Sequence, residues 1–279
     1  DVAVQSGSTF SLGSGGSVKM HGKGLYDIGT ATAIGAGISL ESDWTGTVRM
    51  TGSTLAGLNL DTLSKGANSS VELSGVKGYL NQANGTAQTY ATNLILTDNG
   101  SSAAWEITNG WDGDTRTFTG TISGEGSIRR TVWNGTKQNI VFAGDTSQWD
   151  GVFSHEVDQG TANYKTIVTN LTFNGSSEIN AEITTNGKGE LNVTLDDANI
   201  KTRATEVKVN KQMSVTSLTL TEGTNARFSD TLTSAAESTI NKDAHLSLGE
   251  SCTLSGYDGG IGTFAGTVLS AEAAEVLWV

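Results

Sequence analysis

The sequence predicts an all-β fold of the solenoid class, and three observations support this prediction. Short runs with apolar residues at alternate positions, bounded by Gly, Ser and Asn, recur along nearly all of the 279 residues. Proline is absent, and proline is excluded from strand positions that donate to a ladder. Charged residues make up only 16% of the chain, whereas glycine occurs 36 times. These features favour a β-solenoid with loop insertions, and antiparallel β-sandwich domains are the alternative.

The stretch 118–153 has the clearest strand pattern. Apolar residues alternate with polar ones in three runs, at 119–122, 127–133 and 139–142. Glycines separate the first two runs, and an Asn-Gly pair separates the second from the third. The pattern therefore predicts three short strands joined by turns.

A strand–turn–strand unit with an L-x-L or F-x-L pair recurs at irregular intervals. Six of its copies begin at Phe10, Leu58, Leu94, Leu171, Leu218 and Leu246. Irregular copies are typical of a solenoid whose coils, about a dozen of roughly 20–25 residues, bury their apolar faces against their neighbours. No linker marks a boundary, so residues 1–279 are predicted to form a single elongated segment.

A Ser-x-Trp-x-Gly motif occurs twice in similar settings. The copies centre on Trp44 and Trp149, and each follows an apolar alternating run. One interpretation is that both rings pack at corners of the coil. The other is that they are exposed, because a flat apolar ring can stack on a sugar or anchor a protein partner. Trp44 and Trp149 are therefore candidate ligand-binding residues, together with Trp111 in a polar stretch, which is the one expected to be exposed.

The C-terminal stretch 270–277, S-A-E-A-A-E-V-L, is the one segment with a helical pattern. Ser270 is a suitable N-cap, and Ala and Glu are good helix formers. A short helix of one or two turns is predicted there.

Charge and composition exclude several classes of function. The net charge is −12 and no basic stripe is visible, so binding to a phosphate backbone is excluded. No apolar run approaches the ~18–20 residues needed to cross a bilayer, so no membrane insertion by this segment is expected. Cys252 is the one cysteine, which excludes an intrachain disulfide framework.

Residues 120–153 carry a resemblance to a known family. G-T-I-S-G-E-G-S-I-R-R at 120–130, followed by I-V-F-A-G-D-T-S-Q-W-D-G-V-F at 140–153, resembles the autotransporter-associated β-strand repeat. A partial second copy covers 34–48, and the clear match spans about an eighth of the chain. The matching positions are Gly120, Ile122, Gly124, Gly126, Ile128, Arg129, Ile140, Phe142, Gly144, Trp149 and Gly151.

This resemblance implies a passenger-type segment of a bacterial outer-membrane autotransporter, folded as a right-handed parallel β-helix. It implies export to the bacterial cell surface or the extracellular space. The leading expectation is a non-enzymatic adhesin or interaction scaffold, with a host glycan or surface protein as partner. A structural spacer or self-associating rod is the third expectation.

The second expectation, after the adhesin or scaffold, is an enzyme acting on polysaccharides. Glycoside hydrolysis needs two carboxyl groups ~5–10 Å apart across a sugar, and the W-D-G-D sequence at 111–114 places carboxylates beside an aromatic ring. If the chain is a lyase or hydrolase, Asp112, Asp114 and Arg116 are its candidate catalytic residues, converging in a groove beside Trp111. The alternative for these residues is a polar turn.

Metal sites have little support in the sequence. His21, His155 and His245 are far apart, no H-E-x-x-H occurs, and each is interpreted as a surface or corner residue. Asp196 and Asp197 suggest either a Ca²⁺ loop or a turn, with the turn favoured. No cofactor is expected. N-x-S/T sites lie at Asn68, Asn84, Asn99, Asn134, Asn170, Asn174 and Asn192. Glycosylation is one interpretation, and the favoured one is that N-G-S/T marks a turn followed by a strand.

Overall fold

The computed structural model describes most of the chain. The described residues are 2–5, 7, 9–10, 18–27, 38–51, 68–74, 77–80, 87–97, 104–107, 113–132, 137–157, 167–186, 188–200, 206–236, 238–249, 253–256, 262–264, 267–270 and 275–278. Within them the only regular secondary structure is the β-strand.

The described residues contain thirty-two strands. The first half contains β1 (Val2–Val4), β2 (Thr9–Phe10), β3 (Val18–Gly22), β4 (Leu25–Asp27), β5 (Ile38–Leu40), β6 (Thr47–Thr51), β7 (Ser70–Ser74), β8 (Lys77–Leu80), β9 (Gln88–Tyr90), β10 (Asn93–Thr97), β11 (Ala104–Ile107), β12 (Asp114–Phe118), β13 (Ile122–Gly124), β14 (Ser127–Val132), β15 (Lys137–Phe142) and β16 (Gln148–Trp149). The second half contains β17 (Val152–Val157), β18 (Val168–Phe173), β19 (Glu178–Ile179), β20 (Glu182–Thr185), β21 (Glu190–Leu195), β22 (Val207–Val209), β23 (Met213–Val215), β24 (Ser217–Leu220), β25 (Asn225–Phe228), β26 (Leu232–Ser234), β27 (Ser238–Ile240), β28 (His245–Leu248), β29 (Thr253–Gly256), β30 (Gly262–Phe264), β31 (Thr267–Ser270) and β32 (Glu275–Trp278).

The strands form five sheets, numbered here from first to fifth. Their orders are β1-β3-β5, β16-β13-β10-β7-β6-β4-β2, β32-β29-β26-β23-β20-β17-β14-β11-β8, β30-β27-β24-β21-β18-β15-β12-β9 and β19-β22-β25-β28-β31. Every described strand pair is parallel. The all-β prediction is therefore confirmed, and the antiparallel sandwich alternative is wrong.

Sequence separation explains the parallel pairing. In the fourth sheet, Thr219 pairs with Thr239 and Ile140 pairs with Leu171, so a long stretch of chain separates the two partners of each pair. Parallel partners need a crossover of about a dozen residues or more, whereas a two-residue hairpin makes antiparallel partners. From β8 onward, neighbours in the third and fourth sheets are three strands apart in the chain, so each intervening stretch returns to the same sheet.

Alternation along the strands separates an apolar interior from a polar exterior. One cluster of buried apolar side chains extends from Met20 to Leu248. In the fourth sheet the inward rings of Tyr90, Phe118, Phe142 and Phe173 form a row, with successive centroids 5.1, 5.6 and 5.2 Å apart. In-register parallel strands place like side chains above one another, and the ring contacts add to the stability from area burial.

The second and fifth sheets are separated by a break. The second sheet ends at β16 and the fifth begins at β19, which follow corresponding strands of the fourth sheet. Side chains join the two sides: Asn180 donates to the Ser147 carbonyl (2.7 Å), Ser176 to Asp145 Oδ1 (3.1 Å), and Lys211 pairs with Asp150. Polar side chains therefore replace backbone ladder bonds at this position.

The predicted C-terminal helix at 270–277 is wrong where the structure describes it. Glu275–Trp278 is strand β32, which pairs with β29 through Leu254 opposite Val276. Residues 271–274 lie outside the described residues. The pairing gives hydrogen-bond partners to the backbone N–H and C=O groups of β32. Its sequence E-V-L-W contains Val and Trp, which have a higher strand propensity than Ala. Among the described residues, no helix is long and apolar enough to cross a membrane.

Candidate functional site

Of the predicted catalytic residues, the structure describes the side chain of Arg116 alone. Trp111 and Asp112 lie outside the described residues, and Asp114 is described only as the first residue of β12. Arg116 is 1% exposed and faces the interior, because Thr115 and Thr117 on either side of it face outward. The prediction that Arg116 reaches an open groove is therefore wrong.

Trp44 and Trp149 are buried, and we call each Ser-x-Trp-x-Gly segment a corner. Both rings are 0% exposed, in agreement with the interpretation that they are packed. Trp149 lies edge-on to Phe142 with ring centroids 5.8 Å apart, and its Nε1 donates to the Gly126 carbonyl oxygen at 2.8 Å. Neither ring has a face free for a sugar or a partner, so the prediction that they bind a ligand is wrong.

The paired aspartates at 196 and 197 form a turn, which was the favoured interpretation. Asp196 Oδ1 accepts a hydrogen bond from the Ala198 amide at 2.9 Å. Asp197 is 2% exposed and accepts hydrogen bonds from the Thr224 hydroxyl at 3.2 Å and the Asn225 amide at 3.4 Å. No group of three or more metal-ligating side chains occurs in the described part of the chain.

A cluster of buried polar side chains lies between the third and fourth sheets. Arg116, Gln138 and Thr169 belong to the fourth sheet, and Arg130 and His155 to the third; all five are at most 1% exposed. His155 was predicted to lie at the surface or a corner, and this is wrong because alternation in β17 directs it inward beside Phe153 and Val157. Its Nδ1 lies 3.5 Å from the Thr185 hydroxyl.

The environment of this cluster shifts two pKa values. Burial, followed by the positive charge of Arg116, lowers the pKa of Arg130 to about 9. Burial, followed by the charge of Arg130, lowers the pKa of His155 to about 4. His155 is therefore neutral at pH 7, while Arg130 keeps its proton.

The outward side of the fourth sheet has a different character, and we call it the Asn–Thr face. It consists of two parallel ranks of half-buried side chains that belong to β12, β15, β18, β21 and β24. The first rank is Thr115, Asn139, Asn170, Asn192 and Ser217, and the second is Thr117, Val141, Thr172, Thr194 and Thr219.

Hydrogen bonds connect the first rank from end to end. Asn170 Nδ2 donates to Asn139 Oδ1 at 2.8 Å, and Asn192 Nδ2 donates to Asn170 Oδ1 at 3.3 Å. Ser217 Oγ donates to Asn192 Oδ1 at 2.8 Å, while Asn139 Nδ2 lies 3.3 Å from Thr115 Oγ1. The side chains of this rank are thereby held in one orientation across five strands.

The Asn–Thr face is neutral in a chain of net charge −12. None of its ten side chains is charged or aromatic, and Val141 is its one apolar member. Charged residues occur at its rim, where Lys137 and Glu190 are exposed. The outward side of the third sheet differs, because Arg129 and Glu156 lie there with their charged atoms 3.9 Å apart.

Sequence reasoning missed this face. Asn170 and Asn192 were singled out only as N-x-S/T sites, and both lie within strands, β18 and β21. The signal that identifies them is their alternation with buried residues in the triplets N-L-T and N-V-T, which begin at these two asparagines and pair in register.

Comparison with known proteins identified no relative. The chain matches no family model, and neither the curated proteins nor the solved structures yielded a match.

Proposed function

We propose that the chain is a non-enzymatic, exported scaffold or adhesin segment, built as a right-handed parallel β-helix of the autotransporter passenger type. Support comes from the fourth sheet, where parallel strands distant in sequence pair in register, as Ile140 does with Leu171. The glycine-rich repeat at 120–153 supports it further, since its matching glycines lie where backbones approach closely. A Cβ on Gly120, Gly144 or Gly151 would overlap a backbone oxygen of another segment.

The observation that carries the proposed function is the Asn–Thr face. It presents hydrogen-bonding groups in a fixed array over five strands, which offers many equivalent positions to a ligand rather than one enclosed site for a small substrate. An open, repetitive polar surface suits the binding of a large partner by many weak contacts. A host glycan or a surface protein at the bacterial cell surface is such a partner.

A binding screen with a parallel assay for product tests this function. The protein is applied to a glycan array, to immobilised mucin and to whole epithelial cells, while release of reducing ends is measured on the same polysaccharides. We expect saturable binding without product. Release of product would overturn the proposed function in favour of a polysaccharide-degrading enzyme, and Trp111→Ala run beside the wild type reports whether Trp111 takes part.

A further inference from the structure

We propose that the Asn–Thr face binds an extended, neutral polysaccharide along the stacking direction of the fourth sheet. This inference rests on the proposed scaffold function and names the ligand class and the surface. It follows from the spacing, the hydrogen-bonding capacity and the charge of the ten side chains.

The spacing of the face is periodic in two directions. Parallel strands in register repeat every ~4.8 Å, so the five strands from β12 to β24 extend over roughly 19 Å. The two ranks lie two residues apart along each strand, which is roughly 6.6 Å. A polymer of identical units laid along the ranks can make the same contacts with successive strands, whereas a small molecule uses only one or two of them.

The first rank retains hydrogen-bonding capacity after its internal bonds are counted. A side-chain amide has two N–H donors and an oxygen with two lone pairs. Asn170 uses one donor toward Asn139 and one acceptor site toward Asn192, so an N–H and a lone pair are left for a ligand or water. Sugar hydroxyls both donate and accept, and they match this pair of groups.

The ladder also lowers the cost of binding. Asn side chains that are free in solution lose rotamer freedom when a ligand orders them. Here neighbouring side chains already hold Asn139, Asn170 and Asn192 in one orientation. The face is therefore pre-organised before any ligand arrives.

The charge and the apolar content of the Asn–Thr face favour a neutral polysaccharide over an anionic polymer or a second copy of the chain. An anionic polymer needs Lys or Arg along the ranks, and these positions have neither. A second copy of the chain would need an apolar centre to its interface, and Val141 alone provides very little. A neutral polysaccharide keeps its hydroxyls hydrogen-bonded on a flat polar surface, and its affinity comes from many units bound at once.

The decisive experiment measures binding to insoluble cellulose and chitin and to their soluble oligomers, with heparin and polygalacturonate as anionic counterparts. We expect binding to a neutral polymer that strengthens with oligomer length and is weak for anionic polymers. Thr194→Lys places a long charged side chain in the second rank, and we expect a loss of at least about tenfold in affinity. Thr233→Lys, outward on β26 of the third sheet, is the matched control and should bind like the wild type.

Thermal unfolding of each variant checks that the fold is retained, and Thr219→Lys is the second variant if Thr194→Lys is unfolded. Equal binding by wild type and folded Thr194→Lys would overturn the assignment to this face while leaving the scaffold function intact. Binding of wild type only to anionic polymers or to proteins would overturn the ligand class. A dimer in sedimentation that Thr194→Lys dissociates, without polysaccharide binding, would assign the face to self-association instead.

Discussion

The two Ser-x-Trp-x-Gly corners have the same sequence pattern but orient their indole rings differently. Trp44 and Trp149 are both 0% exposed. A Cβ on Gly46 would lie 2.6 Å from Trp44 Cζ2, whereas a Cβ on Gly151 would lie 2.6 Å from Trp149 Nε1. The six-membered edge thus faces the glycine in the first corner, and the N–H edge faces it in the second.

This difference determines which indole is hydrogen-bonded. Trp149 Nε1 donates to the Gly126 carbonyl oxygen at 2.8 Å, while Trp44 Nε1 has no hydrogen-bond partner among the described residues. The motif therefore specifies burial and the close approach of glycine to the preceding strand's backbone. It does not specify the orientation of the ring, which depends on the surrounding packing.

The largest effect should come from adding a methyl group at either corner glycine. A Cβ on Gly46 or Gly151 would overlap the carbonyl oxygen of Gly24 or Gly126, and backbone atoms cannot move aside. We expect Gly46→Ala and Gly151→Ala each to lower the free energy of unfolding by about 3 kcal/mol, measured by chemical denaturation. Gly249→Ala is the milder comparison, since its Cβ would lie 3.1 Å from the Phe228 carbonyl oxygen, a tight contact rather than an overlap. Equal losses of unfolding free energy in all three variants would show that the two corner glycines are no more sensitive to an added methyl group than Gly249.

The dependence of the unfolding free energy on pH distinguishes the buried polar cluster at His155 from the two tryptophan corners. The pKa of His155 falls from 6.5 to about 4 on folding, so the unfolded chain binds more protons between these values. Its contribution to stability is complete above pH 6.5 and is lost as the pH falls toward 4, on the order of 3 kcal/mol in total.

Unfolding free energies at pH 7 and pH 4.5 for wild type, His155→Gln and Trp149→Phe check this. We expect the pH dependence to shrink in His155→Gln and to persist in Trp149→Phe. His245→Gln, at an exposed position, is the matched histidine control. An unchanged pH slope in His155→Gln would contradict the role of the buried imidazole.

Replacing each tryptophan by phenylalanine tests the difference between the rings directly. Trp149→Phe removes the indole N–H that donates to the Gly126 carbonyl oxygen. Trp44→Phe removes an indole N–H that has no hydrogen-bond partner in the described structure. We expect Trp149→Phe to cost about 1 kcal/mol more than Trp44→Phe, from the lost hydrogen bond. Denaturation midpoints of the two variants measure it, and equal losses would mean that the hydrogen bond contributes nothing.

The smallest effects should come from the exposed ion pairs that the aspartates of the two corners form. The first corner has His21 Nδ1 2.8 Å from Asp43 Oδ1, and the second has Lys211 paired with Asp150. All four side chains are substantially exposed, so we expect Asp43→Asn and Asp150→Asn each to cost less than about 1 kcal/mol. Raising the salt concentration should reduce both costs, and a loss comparable to that of the glycine variants would contradict this.

Alternation predicted much of the fold because it reports directly which side of a strand is buried. The run at 139–142 lies within β15, and the run at 127–133 nearly coincides with β14. The run at 119–122 was placed wrongly, because 119–121 connect β12 to β13. Gly120 is needed there since a Cβ would overlap the Thr92 carbonyl oxygen, a contact between segments distant in sequence.

The candidate site was much less predictable. Arg116 and His155 occupy buried positions of their strands and were still interpreted as accessible, because isolated charged or polar side chains are seldom buried. The Asn–Thr face requires knowing that β15, β18, β21 and β24 are neighbours. Two other strands lie between each successive pair in the chain, and no local pattern specifies a register between segments so far apart.

The three-strand interval between sheet neighbours has a consequence for the folding rate. Parallel sheets usually fold slowly, because distant segments must meet before any contact forms. In this chain the sequence separation of paired strands divided by chain length is roughly 0.1, in the range of helical bundles rather than of β-sandwiches. From β8 onward, paired strands lie only three strands apart in the chain. Folding can therefore start at one end of the chain and proceed strand by strand toward the other.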